Sequence, residues 1–480
     1  MSISLRRALL ALGLGSLSTL SALAGDWPQF RGPNGSATAP DAATLPQKIS
    51  PTDNVIWQTR IPKGISSPIV VGKRIFLTAD RDGKQFTLGL DRATGKVLWE
   101  RLAPAAKLEK IHSIGSYAQA TPAADSEIVV AFFGSSGLYA YDHDGTPLWH
   151  RPFGPFPNEF GAGTSPLIVE DRVILSQDHD NGSFLMALDK KTGRTIWTTD
   201  RSEFPRNYAT PVIWNNAGKR QIVVVGTLRA IGYDFDTGRE AWTVRGMSRI
   251  VNMSPLIGPD GTLFLPAWSP GGDAGERIDV PPVETMLQTR DANGNGALEE
   301  SEVPNGPLKD RFTQLDRNKD GKISADEYSA MRKIFQDSKN RLVAVKPGGS
   351  GDITDSHVLW EQSKALPYVP SPVFAAGHLF FVKNGGLFTS INAKTGTIVK
   401  SERIFGSANY YASLVLGDGK IFALSERGHL SIIQASGDWD VLSQAKFPDD
   451  ALATPAIVDG RIYLRTQSTL YCFGIAKENE

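Results

Sequence analysis

Two twelve-residue stretches carry the densest grouping of hard oxygen donors in the chain. The first contains Asp291, Asn293, Asn295, Gly296 and Glu302; the second contains Asp316, Asn318, Asp320, Gly321 and Glu327. Side-chain oxygens at positions 1, 3 and 5, a backbone carbonyl at position 7 (Ala297, Lys322) and a Glu at position 12 that can offer both oxygens would surround a hard divalent cation. Gly at position 6 permits the sharp turn this wrapping needs. Two such stretches in succession make chance a poor account, and calcium at two sites is the expectation.

Short helices must hold loops of this kind, and the flanking sequence supplies them. Met286 and Leu287 precede the first loop, Phe312 and Leu315 the second, and Met331, Ile334 and Phe335 follow it, giving apolar helix faces. Leu298 and Ile323, at position 8 of each loop, should pair across a two-stranded ribbon. The spacing matches the EF-hand family at every diagnostic position, and the resemblance implies an EF-hand pair over residues 276–340. The loops start only twenty-five residues apart, and Pro304 and Pro307 cut the first exit helix short. Such a compact pair should stay closed and filled, with an affinity of about 10⁻⁴ to 10⁻³ M as in extracellular modules of this type.

Other chemistries are thin. With 51 basic and 51 acidic residues the chain has no net field to attract nucleic acid, and it has no local basic stripe. Its one cysteine, Cys472, excludes an internal disulfide, haem attachment through paired cysteines and a multi-cysteine zinc site. No nucleophile–base set, phosphate loop or catalytic zinc motif is legible, so no catalytic residue is assigned. Asp178-His179-Asp180 could form an acid–base or metal group, but consecutive side chains diverge.

The rest of the chain is repetitive. A Ser/Thr-Pro step opening an apolar run recurs at Ser67-Pro68, Thr121-Pro122, Ser165-Pro166, Thr210-Pro211, Ser254-Pro255, Ser371-Pro372 and Thr454-Pro455, with a degenerate copy at Ala412-Ser413. The intervals are 54, 44, 45, 44, 117, 41 and 42 residues, one propeller blade each apart from the interval that holds the calcium loops. Each unit reads as four short strands, the last hairpin turning at a Gly (Gly95, Gly145, Gly193, Gly238, Gly396) and most units following with a Trp (Trp99, Trp149, Trp197, Trp242, Trp360). Lys400 replaces that Trp in the sixth unit, and Trp439 falls out of phase in the seventh. The eighth unit lacks its fourth strand, which the Trp57 segment can supply from the other end of the chain. The expectation is an all-β, eight-bladed β-propeller closed in this way, with residues 54–275 and 341–476 in the propeller and the helical insertion in blade five.

Segments such as Leu88-Gly89-Leu90-Asp91-Arg92-Ala93-Thr94-Gly95-Lys96-Val97-Leu98-Trp99 resemble the PQQ-like propeller repeat shared by quinoprotein alcohol dehydrogenases and the outer-membrane assembly factor BamB. The resemblance implies blade-to-blade packing for the Trp. It departs from the dehydrogenases in lacking their adjacent-cysteine pair, and from BamB in lacking the lipidated cysteine. Arg6 and Arg7, an apolar stretch to about Leu20 and Ala22-Leu23-Ala24 read as a signal peptide over 1–24, so a periplasmic or secreted protein is expected, with no membrane span or lipid anchor. Residues 25–53 form an N-terminal extension.

In a four-stranded meander the connection between second and third strands emerges on the same face as the blade-to-blade connections. The calcium module should therefore stand where the segments before each Ser/Thr-Pro step converge. Those segments carry His112, Tyr117, Asn158, Phe160, Arg206, Asn207, Tyr208, Arg249, Asn252, Tyr368, Asn409 and Tyr410, joined by Asp178. They are expected to line a shallow funnel for an envelope protein, peptide or polysaccharide, in a calcium-binding, non-catalytic scaffold at the cell envelope. The alternative is a PQQ-dependent oxidoreductase, with the quinone in the funnel and a further calcium as Lewis acid.

Overall fold

The computed structural model describes residues 25–39, 43–104, 108–180, 182–273, 275–306, 308–405 and 408–475; the signal peptide expected over 1–24 lies outside them. Eight antiparallel sheets stand around an axis. Blade one is Ile69–Val71, Arg74–Arg81, Lys84–Asp91 and Val97–Ala103, four short strands as the repeat pattern implies. The last blade takes Ala456–Val458, Arg461–Arg465 and Thr469–Phe473 from the C-terminal end and Val55–Arg60 from the N-terminal end. Trp57 stands opposite Cys472, and Thr59 opposite Leu470. Closure of this kind leaves no first or last blade with an open face.

The Ser/Thr-Pro steps prove to be the clasp of the ring. The innermost strand of a blade has no partner on its axial side, so its first N–H needs another acceptor. Each is met by the hydroxyl of the next blade's step: Ser67 N–H reaches Thr121 Oγ1 (2.9 Å), Thr121 reaches Ser165 Oγ (3.0 Å) and Ser165 reaches Thr210 Oγ1 (3.1 Å). Thr210 continues to Ser254 Oγ (3.2 Å), Ser254 to Ser371 Oγ (3.0 Å) and Ser371 to Ser413 Oγ (3.1 Å). Ser413 reaches Thr454 Oγ1 (2.9 Å), and Thr454 closes the circle on Ser67 Oγ (3.0 Å). Ser413 fills the hydroxyl position, so Leu414, not Ser413, stands where the other steps have Pro. The Ala412-Ser413 alignment is corrected by one residue.

Between blades, each Trp lies on the turn glycine of its neighbour. A Cβ built on Gly145 would stand 2.6 Å from the Trp99 ring, and one on Gly193 2.6 Å from Trp149, so these turns need Gly for the approach as well as for their φ of +83° and +66°. Trp242 differs: it packs in its own blade, edge-on to Trp214 and donating to Gln221 Oε1 (2.7 Å). Where Lys400 replaces Trp, Trp439 comes in from the next blade instead. It lies edge-on to Phe388 at 4.9 Å, with the Lys400 ammonium 4.7 Å over its ring.

Two features were not legible in advance. Gly351–Asp352, between the last two strands of blade five, adds a fifth strand in parallel to Glu240–Arg245 of blade four. The N-terminal extension crosses the hub at the ends of the inner strands opposite the hydroxyl ring. Trp27 pairs with Val70, Pro28 O accepts from Ala124 N–H (2.8 Å), the Asn34 side chain brackets the Ile213 backbone, and Ala37 and Ala39 pair with Leu416. Arg31, fully buried there, donates to Pro372 O.

Candidate functional site

The calcium-loop segments take the expected form. Helices α1 (Val283–Arg290), α2 (Phe312–Leu315) and α3 (Ala325–Asp337) flank the loops, and Leu298 pairs with Ile323 in a three-residue ribbon. Those two side chains bury with Val303, Phe312 and Tyr328, and Met286, Leu287, Leu315 and Met331 pack against them. After Glu302 the chain turns without forming a helix through Gly306.

Each loop is wound around its first aspartate. Asp291 accepts from Asn295 and Gly296 N–H (3.1 and 2.8 Å), and Asp316 accepts from Asp320 and Gly321 N–H (3.0 and 2.9 Å). Asn293 Oδ1 and Asn318 Oδ1 each take the N–H two residues on, at 3.0 Å. Gly296 and Gly321 have φ of +81° and +84°. Glu327 caps α3 through Ser324 and accepts from Arg317 N–H (2.8 Å), so its carboxyl faces back over the loop and is held below its ordinary value by those donors despite its burial. The donor types are those a calcium ion takes, all oxygen; among the described residues no three acidic side chains stand together as a metal-holding group, so the Asn side chains and backbone carbonyls would have to complete each set. Glu299, at position 9 of the first loop, was missed from sequence. It accepts from Asn293 and Asn295 and pairs with Lys322, so it adds a carboxylate to that loop.

The module stands on the expected face and is tied to it by charge. Arg206 grips Asp180 with two bonds (2.6 and 3.0 Å), reaches Glu159, and donates to Gln314 of α2 (3.1 Å), which in turn donates to Asp180 (2.9 Å). Arg249 N–H donates to Ser338 Oγ (3.0 Å), and its guanidinium covers Phe335 at 5.1 Å.

The predicted funnel residues separate into three groups. His112, Tyr208 and Asn252 line an axial cavity of about 410 Å³, with Phe160 and Tyr368, while Phe30 of the extension and several hydroxyls of the ring also reach it. Tyr208 donates to Asn158 Oδ1 (2.6 Å), and burial pushes its hydroxyl pKa up. Arg206 and Arg249 belong to the seam with the calcium module. Asp178, Tyr117 and Asn409 line neither the axial cavity nor the seam: Tyr117 donates to Glu109 O (2.7 Å) and Asn409 to Glu426 (2.9 Å). Tyr410 is fully buried, and its neighbour Tyr411 faces the axial cavity in its place.

Asp178, His179 and Asp180 do diverge. Asp178 is sealed in a bidentate pair with the fully buried Arg201 (2.8 and 2.7 Å), with Asn207 as a third donor (3.1 Å). Burial raises its carboxyl pKa, and the pair keeps Arg201 cationic. His179 stacks on Phe156 at 4.4 Å with both ring nitrogens unpartnered, and burial lowers its pKa to about 4. Asp178 and His179 are buried, and Asp180 is held in its pair with Arg206. PQQ carries three carboxylates, and among the described residues lining the axial cavity there is no Lys or Arg to meet them; this lining does not fit that quinone. Burial also raises the Cys472 thiol to about 11, so it is inert as a nucleophile.

Comparison with known proteins agrees with this architecture. The family described as outer membrane protein assembly factor BamB matches residues 47–160 and 157–257, and the EF hand family matches residues 308–331, the second loop. The outer membrane protein assembly factor BamB of Yersinia pestis is 23% identical over 425 residues, spanning 86% of this chain and 95% of its own. The crystal structure of BamB from Moraxella catarrhalis has a TM-score of 0.55 at 13% identity, covering 88% of this chain and 99% of that one. The computationally designed protein Ika8 scores 0.55 at 11% identity, covering 88% and 100%. At these identities the structural likeness carries the fold alone.

Proposed function

We propose that this chain, an eight-bladed propeller of PQQ-like repeats similar to BamB with an EF-hand pair inserted in blade five, is an exported calcium-holding scaffold that binds partners at the cell envelope. The observation that carries the reading is the axial cavity. Its walls are aromatic and hydroxylated, and the ionisable groups behind it are consumed in pairs with one another, Asp178 with Arg201 and Asp180 with Arg206. A surface of rings and hydroxyls suits recognition of a peptide or polysaccharide segment; of the two titratable side chains in the lining with base character, Glu159 is paired with Arg206 and His112 stands at the wall beside Phe160. Sequence similarity to an outer membrane protein assembly factor over most of the chain supports the envelope location.

Two calcium ions would be held by Asp291, Asn293, Asn295, the Ala297 carbonyl and Glu302, and by Asp316, Asn318, Asp320, the Lys322 carbonyl and Glu327. Bound there, they cross-link loop to helix. Through Gln314 and Arg206 that rigidity reaches the funnel rim, where Asp180 and Glu159 meet the same guanidinium.

The test is retention of envelope components by the purified chain and by its Tyr208→Ala and Tyr368→Ala variants, with calcium and with chelator. The reading expects species retained by the wild-type chain in calcium, and lost both on chelation and in the variants. Retention indifferent to all three changes contradicts it, as does dye-linked alcohol oxidation on addition of PQQ and calcium.

A further inference from the structure

A second cavity, of about 360 Å³, lies outside the funnel, in the seam between the EF-hand helices and the propeller rim. Its size is at the lower end of small-ligand pockets. One wall is apolar and comes from the inserted module: Met286, Leu315, Met331, Ile334 and Phe335. In an isolated helix pair these side chains would close on each other. Here Met286, Leu315 and Met331 are only partly buried, and an open apolar space remains beside them.

The lining is also cationic, with Arg206 and Arg249 from the propeller rim and Arg311 and Arg317 from the inserted module. Arg206 is already engaged by Asp180 and Glu159. Among the described residues, Arg249, Arg311 and Arg317 have no carboxylate within ion-pair distance, and Asp279 is the one other acid in the lining. Arg249 spends its Nε on Pro270 O (3.2 Å) and lays its plane on Phe335. Burial, together with the neighbouring charge of Arg311, pushes the Arg249 guanidinium below its ordinary value. Four guanidiniums at an apolar space against two carboxylates, of which Asp180 is already held by Arg206, are under-compensated, and an anion placed between them reduces the repulsion while making charge-assisted hydrogen bonds.

We propose that this seam cavity binds a small amphiphilic anion, its apolar body against the EF-hand helices and its head group among Arg249, Arg311 and Arg317. The site is separate from the axial cavity, so it stands or falls independently of the funnel. Guanidinium forks accept a carboxylate or a phosphate in the same way, and the probes distinguish the two.

The purified calcium-loaded chain is titrated calorimetrically with decanoate, decyl phosphate and 1-decanol, beside its Arg311→Met, Arg317→Met and Ile334→Trp variants. Either anion should bind at one equivalent, and about tenfold or more tighter than the alcohol. Arg311→Met should weaken anion binding about tenfold and leave the alcohol unchanged, Arg317→Met should act in the same direction, and Ile334→Trp, which fills the cavity, should weaken all three probes. Unchanged melting temperatures show that the variants are folded, and Tyr208→Ala should bind decanoate as the wild-type chain does. Failure of both anions to bind overturns the proposal. So does an alcohol that binds as tightly as the anions, or anion binding that survives Arg311→Met and Ile334→Trp in folded protein.

Discussion

Replacing Thr210 by Val would keep the shape of the side chain and remove the oxygen that accepts the Ser165 N–H at 3.1 Å. Both residues are at most 3% exposed, so the amide would be buried without a protein partner. The cost of that is about 1–3 kcal/mol. Thr210→Ser keeps the oxygen and gives up one methyl group, about 0.8 kcal/mol. The clasp therefore predicts an order of stability, wild type above Ser above Val, although Val is the more apolar and the more strand-favouring residue. Urea unfolding of the three proteins measures the order. Amide exchange localises it, since protection of Ser165 should fall by roughly tenfold for each 1.4 kcal/mol lost. A Val variant as stable as wild type, or more stable than the Ser variant, would refute the assignment of the hydroxyl ring as the clasp and return the repeat step to a role in strand packing.

Acidification should weaken the fold through His179. Its folded pKa of about 4 lies below the ordinary 6.5, so the neutral ring is the stable form. The stability it contributes is whole above pH 6.5 and is lost as the pH falls toward 4, about 2 kcal/mol of it by pH 5; His179→Phe should flatten the melting profile between pH 7 and 5, and an unchanged profile counts against the assignment. Asp178→Asn leaves the buried Arg201 without its counter-charge and should cost about 3–5 kcal/mol. Asp180→Asn, whose partner Arg206 still has Glu159, should cost clearly less, and chemical denaturation of both variants compares them.

What could be read from the chain alone depended on how far apart cooperating residues lie. The form of the two loops was legible because all the oxygen donors of each fall within twelve consecutive residues and the turn at position 6 demands Gly. Glu299 escaped because position 9 has no fixed residue type. The Ser/Thr-Pro step was visible as a period, but its hydroxyl serves an amide one blade away, so its purpose appears only when the ring is closed. Lys400 and Trp439 looked like two defects; in three dimensions they are one substitution, an aromatic ring supplied from the other side of the seam with a cation on its face. Polarity misled at Asp178, where a charged residue in a loop suggested exposure and the acid is instead locked to Arg201. At Tyr410 and Tyr411 adjacent aromatics point opposite ways, and a single sequence does not say which faces inward. The N-terminal extension carries no periodicity, and its crossing of the hub rests on contacts with five blades.

Calcium binding is the point on which the scaffold reading turns, and calorimetric titration of the chelator-treated chain, followed by thermal melting, measures it. Two equivalents taken up with dissociation constants of about 10⁻⁴ to 10⁻³ M, and a higher melting temperature in calcium, are the predicted result. Absence of both calcium-dependent heat and any shift in melting would contradict it.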